Sequence, residues 1–228
     1  MLTLEDVIFT RPGFSLAADL ALDAGSRTAV IGPSGGGKST LLSLIAGFET
    51  PDTGRILQDA LDITHLPPSG RPVAMLFQDG NLFPHLDVLT NVALGLEPVA
   101  RPSAAARDRA REALDRVGLS EHVAKKPGAL SGGQQSRAAL ARLLLTARPV
   151  VLLDEPFAAL GPSLRRQMFD LLVELLPEAT ILMVTHDPDE ARRSAGQVIF
   201  VDGGRAEPPV ETGRFFDAPS AAVSAYLA

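Results

Sequence analysis

The run Gly32-Pro33-Ser34-Gly35-Gly36-Gly37-Lys38-Ser39-Thr40 decides the fold, because it fits the pattern G-x-x-x-x-G-K-[ST] and lies between a strand-like and a helix-like segment. Upstream, Thr28-Ala29-Val30-Ile31 reads as a short buried strand. Downstream, Leu41, Leu42, Leu44 and Ile45 make the apolar side of a helix that ends at Gly47. A loop with few Cβ atoms lets backbone N–H groups wrap phosphates, and the helix after it turns its positive end toward the same charge. Lys38 then reaches the β- and γ-phosphates, and the Ser39 hydroxyl is placed for Mg²⁺. A merely flexible turn explains the glycines, but leaves the strand, the lysine and the helix without a reason.

Bulk properties narrow the function classes. Of 228 residues 46% are hydrophobic, enough to bury a substantial core. A formal net charge of -6 argues against sequence-independent attraction to nucleic acid as the main activity. The absence of cysteine excludes disulfides, thiol catalysis and Cys-based zinc sites. Met1-Leu2-Thr3-Leu4-Glu5-Asp6 lacks the basic region and apolar run of a signal peptide, and no run of about 18 apolar residues occurs. A membrane role therefore has to come from docking onto another chain.

The elements alternate as a parallel sheet covered by helices requires. Leu2 to Phe9 and Phe14 to Leu22 alternate apolar and polar residues imperfectly, which predicts antiparallel strands in a small β-subdomain. Pro51-Asp52-Thr53-Gly54 reads as a turn, Arg55 to Leu57 as a short strand, and Pro67-Pro68-Ser69-Gly70 as the loop before a buried strand, Val73-Ala74-Met75-Leu76-Phe77. After an Ala- and Pro-rich stretch from Gly95 to Ala106, Ala110, Ala113, Leu114 and Val117 recur at helical spacing before Gly118. The sheet resumes at Val150 to Leu153 and Ile181 to Val184, apolar runs suited to strands buried on both faces. The expectation is a single α/β domain over residues 1–228. Residues 1–78 and 143–228 form the nucleotide-binding core with its antiparallel β-subdomain, and residues 79–142 form a helical insert.

Two further constellations carry chemistry. Val150-Val151-Leu152-Leu153-Asp154-Glu155-Pro156 is an apolar strand ending in two carboxylates. Behind a phosphate loop, Asp154 suits coordination of Mg²⁺ through water, and Glu155 is placed to orient or deprotonate a water attacking the γ-phosphate. Leu130-Ser131-Gly132-Gly133-Gln134 precedes a helix-like stretch containing Ala138, Ala141, Leu144 and Leu145, which makes a second anion-binding helix start. Capping explains Ser131, but leaves the glycine pair followed by glutamine unexplained.

The ordered set of phosphate loop, Gln78 after a buried strand, Leu-Ser-Gly-Gly-Gln, Asp-Glu at a strand end and a late His186 resembles the ATP-binding subunit of an ABC transporter over essentially the whole chain. The resemblance implies a P-loop NTPase core of the RecA-like kind, with ATP and Mg²⁺ as the bound groups. It implies catalytic roles for Glu155, Gln78 and His186, with Ser39, Gln78 and Asp154 around the metal. Two copies are expected to face each other head to tail. ATP bound at Gly32 to Thr40 of one is then closed over by Ser131, Gly132, Gly133 and Gln134 of the other. Two departures stand out. Ala158-Ala159-Leu160-Gly161 replaces the family's Ser-Ala-Leu-Asp, whose Asp lies at the dimer interface, although Gly161 before Pro162 still starts a helix. Where the family stacks an aromatic on adenine, this chain has Arg11, with Phe9 two residues earlier; either stacks on a base, by guanidinium plane or by ring.

Within importers, the stretch from Pro67 to Gln78 and Asn81-Leu82-Phe83-Pro84-His85-Leu86 resemble thiamine-importer ATPases, and Ile45-Ala46-Gly47-Phe48 and Met183-Val184-Thr185-His186 add to this. Polyamine and ferric-iron importer ATPases share much of the pattern. The implied partners are a second copy, a transmembrane permease and, indirectly, a periplasmic substrate-binding protein, with no nucleic acid. The implied location is peripheral, on the cytoplasmic face of the inner membrane. Phe83-Pro84-His85-Leu86 exposes apolar groups on a loop after Gln78, which suits docking to a permease helix or anchoring of the helical segment. A DNA-acting relative needs a long coiled-coil insertion that residues 79–142 do not supply. A translation-associated one joins two ATPase domains in one chain.

Overall fold

The computed structural model describes residues 1–227. In chain order the elements are β1 (Leu2–Arg11), β2 (Phe14–Leu22), β3 (Arg27–Ile31), α1 (Lys38–Ala46), β4 (Thr53–Gln58), β5 (Leu61–Asp62), β6 (Val73–Leu76), α2 (Val88–Ala93), α3 (Ala104–Arg116) and α4 (Gly132–Thr146). There follow β7 (Val150–Asp154), α5 (Pro162–Leu175), β8 (Thr180–Val184), α6 (Pro188–Ser194), β9 (Gln197–Asp202), β10 (Arg205–Ala206), β11 (Val210–Glu211), α7 (Thr212–Asp217) and α8 (Ala221–Leu227). They cluster into two compact units, one comprising Met1–Val73, Arg148–Asp154 and the described chain from Glu178 onward, the other Ala74–Ala147 and Glu155–Pro177.

In the first unit the strands run β5-β4-β1-β2-β10-β9-β3-β8-β7, with β11 also paired to β9. β3, β7, β8 and β9 are parallel, with Val30 opposite Val184, Asp154 opposite Val184 and Ile31 opposite Phe200. Every residue of β8 and Val150 to Leu153 of β7 are buried, as strands covered on both faces must be. These registers level the carboxyl ends of β3, β7 and β8, the edge at which open parallel sheets bind ligands. One face is closed by Ala29, Ile31, Val198 and Phe200, packed against Ala191 of α6, Phe215 and Phe216 of α7 and Val223 of α8.

The imperfect alternation of the amino-terminal strand has a physical cause. Leu2, Leu4, Val7 and Phe9 are buried, so the inward face skips one residue between Leu4 and Val7. There the pairing with β2 shifts register and Asp6 adopts a φ of 45°. This is a β-bulge, and β4 makes room for it with Gly54, where a Cβ would lie 2.4 Å from the Asp6 carbonyl oxygen.

Arg71 is 1% exposed, so it lies wholly inside this unit. Its Nη1 donates to the carbonyls of Leu44 (2.6 Å) and Ile45 (2.9 Å), its Nη2 to Thr64 (2.7 Å) and its Nε to Leu66 (2.9 Å). The guanidinium thus caps the carbonyl end of α1, where helix geometry leaves acceptors without partners.

The second unit is helical apart from β6, which stops one residue short of the expected Phe77 and buries only Ala74 and Leu76. α2, α3 and α4 pack on one another, and α4 on α5. α4 continues past Arg142 to Thr146, and α5 belongs with it, so this unit is larger than residues 79–142. Its centre includes Asn91, which is fully buried: Oδ1 accepts from the Phe83 N–H at 2.7 Å, and Nδ2 donates to the carbonyls of Phe83, Leu86 and Asp87 at 3.0, 3.3 and 3.0 Å. Among the described residues no helix is long and apolar enough to cross a membrane.

Candidate functional site

The phosphate loop leaves β3 at Gly32, whose φ is 147° and where a Cβ would lie 2.0 Å from the Val201 carbonyl oxygen of β9. Any side chain there would push the loop off the sheet. Beyond Pro33, Ser34, Gly35 and Gly36, the loop ends at Gly37, φ 116°, which enters α1 where a Cβ would lie 3.0 Å from Leu16 Cδ1 and 3.1 Å from the Phe14 ring. Lys38 folds back over the loop it follows: Nζ donates to the carbonyls of Gly32 (2.8 Å) and Pro33 (2.9 Å). An ammonium held at the rim of a ring of backbone groups can change partners to a phosphate oxygen without moving its stem.

Ser39, followed by Thr40 in the first turn of α1, donates from Oγ to Asp154 Oδ1 at 3.2 Å. A hydroxyl and a carboxylate oxygen at one point match the hard donors that Mg²⁺ takes from a protein. Among the described residues no group of three or more His, Asp or Glu could hold a metal ion alone; the remaining oxygens of such an ion come from water and phosphate. His186 is exposed just beyond β8, on a turn pinned from both sides. The Thr185 N–H donates to Val30 O (3.3 Å), the Thr185 hydroxyl to the Glu190 carboxylate, and the Asp187 N–H to Thr185 Oγ1 (3.1 Å). The first unit therefore brings the loop, Asp154 and His186 to one edge of the sheet.

The base-stacking expectation needs correction at Phe9, which is 7% exposed and faces the core from β1. Arg11 is exposed, and its guanidinium lies 4.8 Å over the centre of the Phe14 ring, the ring that reaches Gly37. The aromatic beside the phosphate loop is thus Phe14. The bulge explains the miss, since it reverses which parity of β1 faces inward.

The second unit carries the other expected residues. Gln78 is exposed two residues beyond β6. Glu155 is half-buried and holds a φ of 44°, a left-handed conformation rarely adopted by a residue with a side chain. It turns the chain from the end of β7 into the segment leading to α5, whose first turn is set by Gly161 and Pro162 as expected. Ser131 caps α4 in a reciprocal capping box: Gln134 N donates to Ser131 Oγ (3.3 Å), and Ser131 N to Gln134 Oε1 (2.9 Å). At Gly133 a Cβ would lie 2.9 Å from Leu160 Cδ2, while Gly132 has only an ordinary contact with Ala159. The Gly-Gly-Gln run thus has local reasons, close packing for Gly133 and capping for Gln134. Arg142, on the same helix, donates to the carbonyls of Asn81 (2.9 Å) and Gly80 (3.0 Å), tying α4 to the segment after Gln78. Burial depresses its pKa.

A glycine loop between a parallel strand and a helix, with its lysine, its hydroxyl and a strand-end carboxylate assembled, defines a P-loop nucleotide triphosphatase. The pattern of the ABC transporter family matches residues 17–158, more than half of the sequence, and the chain belongs to that family. It is 55% identical to the thiamine import ATP-binding protein ThiQ of Cereibacter sphaeroides, over 100% of this chain and 99% of that one. To the protein of the same name in Ruegeria sp. it is 51% identical, with the same coverage. Among solved structures, the dimeric post-hydrolysis state of an ATP-binding cassette bound to ADP and Pi is 30% identical, with a TM-score of 0.81, covering 93% of this chain and 99% of that one.

Proposed function

We propose that this chain is the ATP-hydrolysing subunit of a bacterial importer, powering uptake of thiamine or thiamine phosphates through a partner permease. The observation that carries this reading is identity above one half, across full length, to two proteins named for thiamine import. Gly32 to Gly37 and Lys38 hold the phosphates, and Ser39 and Asp154 would hold Mg²⁺. Mg²⁺ supplies neutralisation of the phosphate charge that builds up during hydrolysis. Glu155 orients and deprotonates the attacking water, and His186 contacts the γ-phosphate. Arg11, stacked on Phe14, offers its outer face to the base. A second copy supplies Ser131 to Gln134 to the same ATP, and the solved dimeric cassette supports pairing of this kind. The permease holds the subunit on the cytoplasmic face of the inner membrane, where a periplasmic binding protein acts on it only indirectly.

The test is co-purification with a candidate thiamine permease, followed by ATP hydrolysis in the reconstituted complex. Stimulation by thiamine-loaded binding protein is expected; stimulation by a polyamine or ferric-iron system instead would move the substrate assignment.

A further inference from the structure

The capping box at the start of α4 continues to a histidine outside the site described above. Gln134 Oε1 accepts from the Ser131 N–H, and Gln134 Nε2 lies 2.7 Å from His122 Nε2. The Ser131 N–H only donates, so the amide atom facing it is the oxygen, and the atom facing His122 is the NH2 group, which also only donates. His122 Nε2 must therefore accept, which places the ring proton on Nδ1 and leaves the ring neutral. Nδ1 is buried with no hydrogen-bond partner among the described residues, so the contact with Gln134 alone selects this tautomer. The backbone around the ring is fixed as well: His122 N–H donates to Leu119 O (2.9 Å) and Lys125 N–H to His122 O (3.0 Å).

From this geometry we infer that His122 is a positioning residue for the Ser131 to Gln134 segment, holding the Gln134 amide in the one orientation that closes the capping box. A turned amide would set its NH2 group against the Ser131 N–H and open the start of α4. What the position requires is an acceptor at the place of Nε2. The inference rests on the reading that this segment closes over the ATP of a second copy.

The experiment uses the full chain carrying Glu155→Gln, in which ATP-driven dimerisation is measured by sedimentation alongside ATP binding to the monomer and thermal unfolding. His122→Leu removes the acceptor, His122→Lys replaces it with a donor, and His122→Gln restores an acceptor near the Nε2 position. One lost hydrogen bond weakens each site about fivefold, and a dimer closing on two sites about 25-fold. His122→Leu and His122→Lys are expected to lose that much while monomer binding stays unchanged, and His122→Gln to recover to within about threefold. Dimerisation of His122→Leu at the parent level, or a defect in His122→Gln equal to that of Leu, would overturn the inference. If the Glu155→Gln parent fails to dimerise with ATP, the two-copy reading is what fails. The ring then decides the role of His122 by itself. Its ¹⁵N resonances uphold the inference if they show the Nδ1–H tautomer and lose it in Gln134→Leu, and overturn it if they show the Nε2–H tautomer.

Discussion

Ser39 and Asp154 are 115 residues apart in sequence and meet at 3.2 Å, joining the first turn of α1 to the end of β7. Asp154→Asn keeps an acceptor there and removes the charge. Nucleotide binding in EDTA is expected to be unchanged, whereas Mg²⁺-dependent hydrolysis falls roughly 10²-fold or more. Equal hydrolysis by both proteins over a Mg²⁺ titration would take Asp154 away from the metal.

Glu155→Gln leaves the side-chain shape at the left-handed turn unchanged and removes the base. ATP binding is expected to persist and the closed dimer to accumulate, while turnover drops by about 10² to 10⁴-fold. Unchanged turnover in the assembled transporter would remove Glu155 from that role.

Lys38→Ala should abolish nucleotide binding in its own subunit, and Ser131→Arg should spare binding and block closure. In a head-to-tail dimer with one change on each chain both defects fall in one site, so the other site still hydrolyses ATP. With both changes on one chain and none on its partner, each site carries one defect and activity is lost. Equal activity of the two arrangements, measured on purified mixed dimers, would contradict the composite site.

Phe83 is 46% exposed and stands edge-on to His85, at 6.0 Å between ring centres. Asn91 holds the backbone of this loop from inside, which frees the Phe83 side chain from an anchoring duty. Substituting Phe83 and Leu86 by Ser is therefore expected to leave ATP binding and the melting temperature of the isolated subunit near wild type, while assembly with the permease fails. A clear loss of thermal stability would assign the two side chains to the helical unit instead.

Arg71→Met keeps much of the buried volume and takes the guanidinium from the carbonyls of Ile45, Thr64 and Leu66, while Leu44 O keeps the Gly47 N–H. A loss of about 3 kcal/mol or more is expected, lowering the melting temperature by roughly 10 °C. Calorimetry on the purified chain checks this.

The phosphate loop, the buried strands and the carboxylate pair were legible because each depends on residues close in sequence, where spacing and periodicity suffice. Arg71 was invisible for the opposite reason. Its partners are the carbonyls of Leu44, Ile45, Thr64 and Leu66, and backbone acceptors leave no mark on composition. Asn91 and Arg142 act on backbone in the same way. Phe9 misled because a bulge of one residue inverts strand parity, and the only trace of it was the irregular Leu4-Glu5-Asp6-Val7. His122 carried no signal, since nothing in its surroundings in sequence points to Gln134.

The position of Arg71 also bears on how a nucleotide is attracted. α1 has nine residues, a length of about 13 Å, and its negative pole is occupied by a full positive charge. The helix therefore presents the phosphate loop with a column that is positive at both ends, and a residue that never touches the nucleotide adds to its pull. Because that field runs through protein interior, dissolved salt screens it far less than it screens the exposed charges at the loop. Part of the affinity for anionic ligand should accordingly survive at ionic strengths that silence the surface.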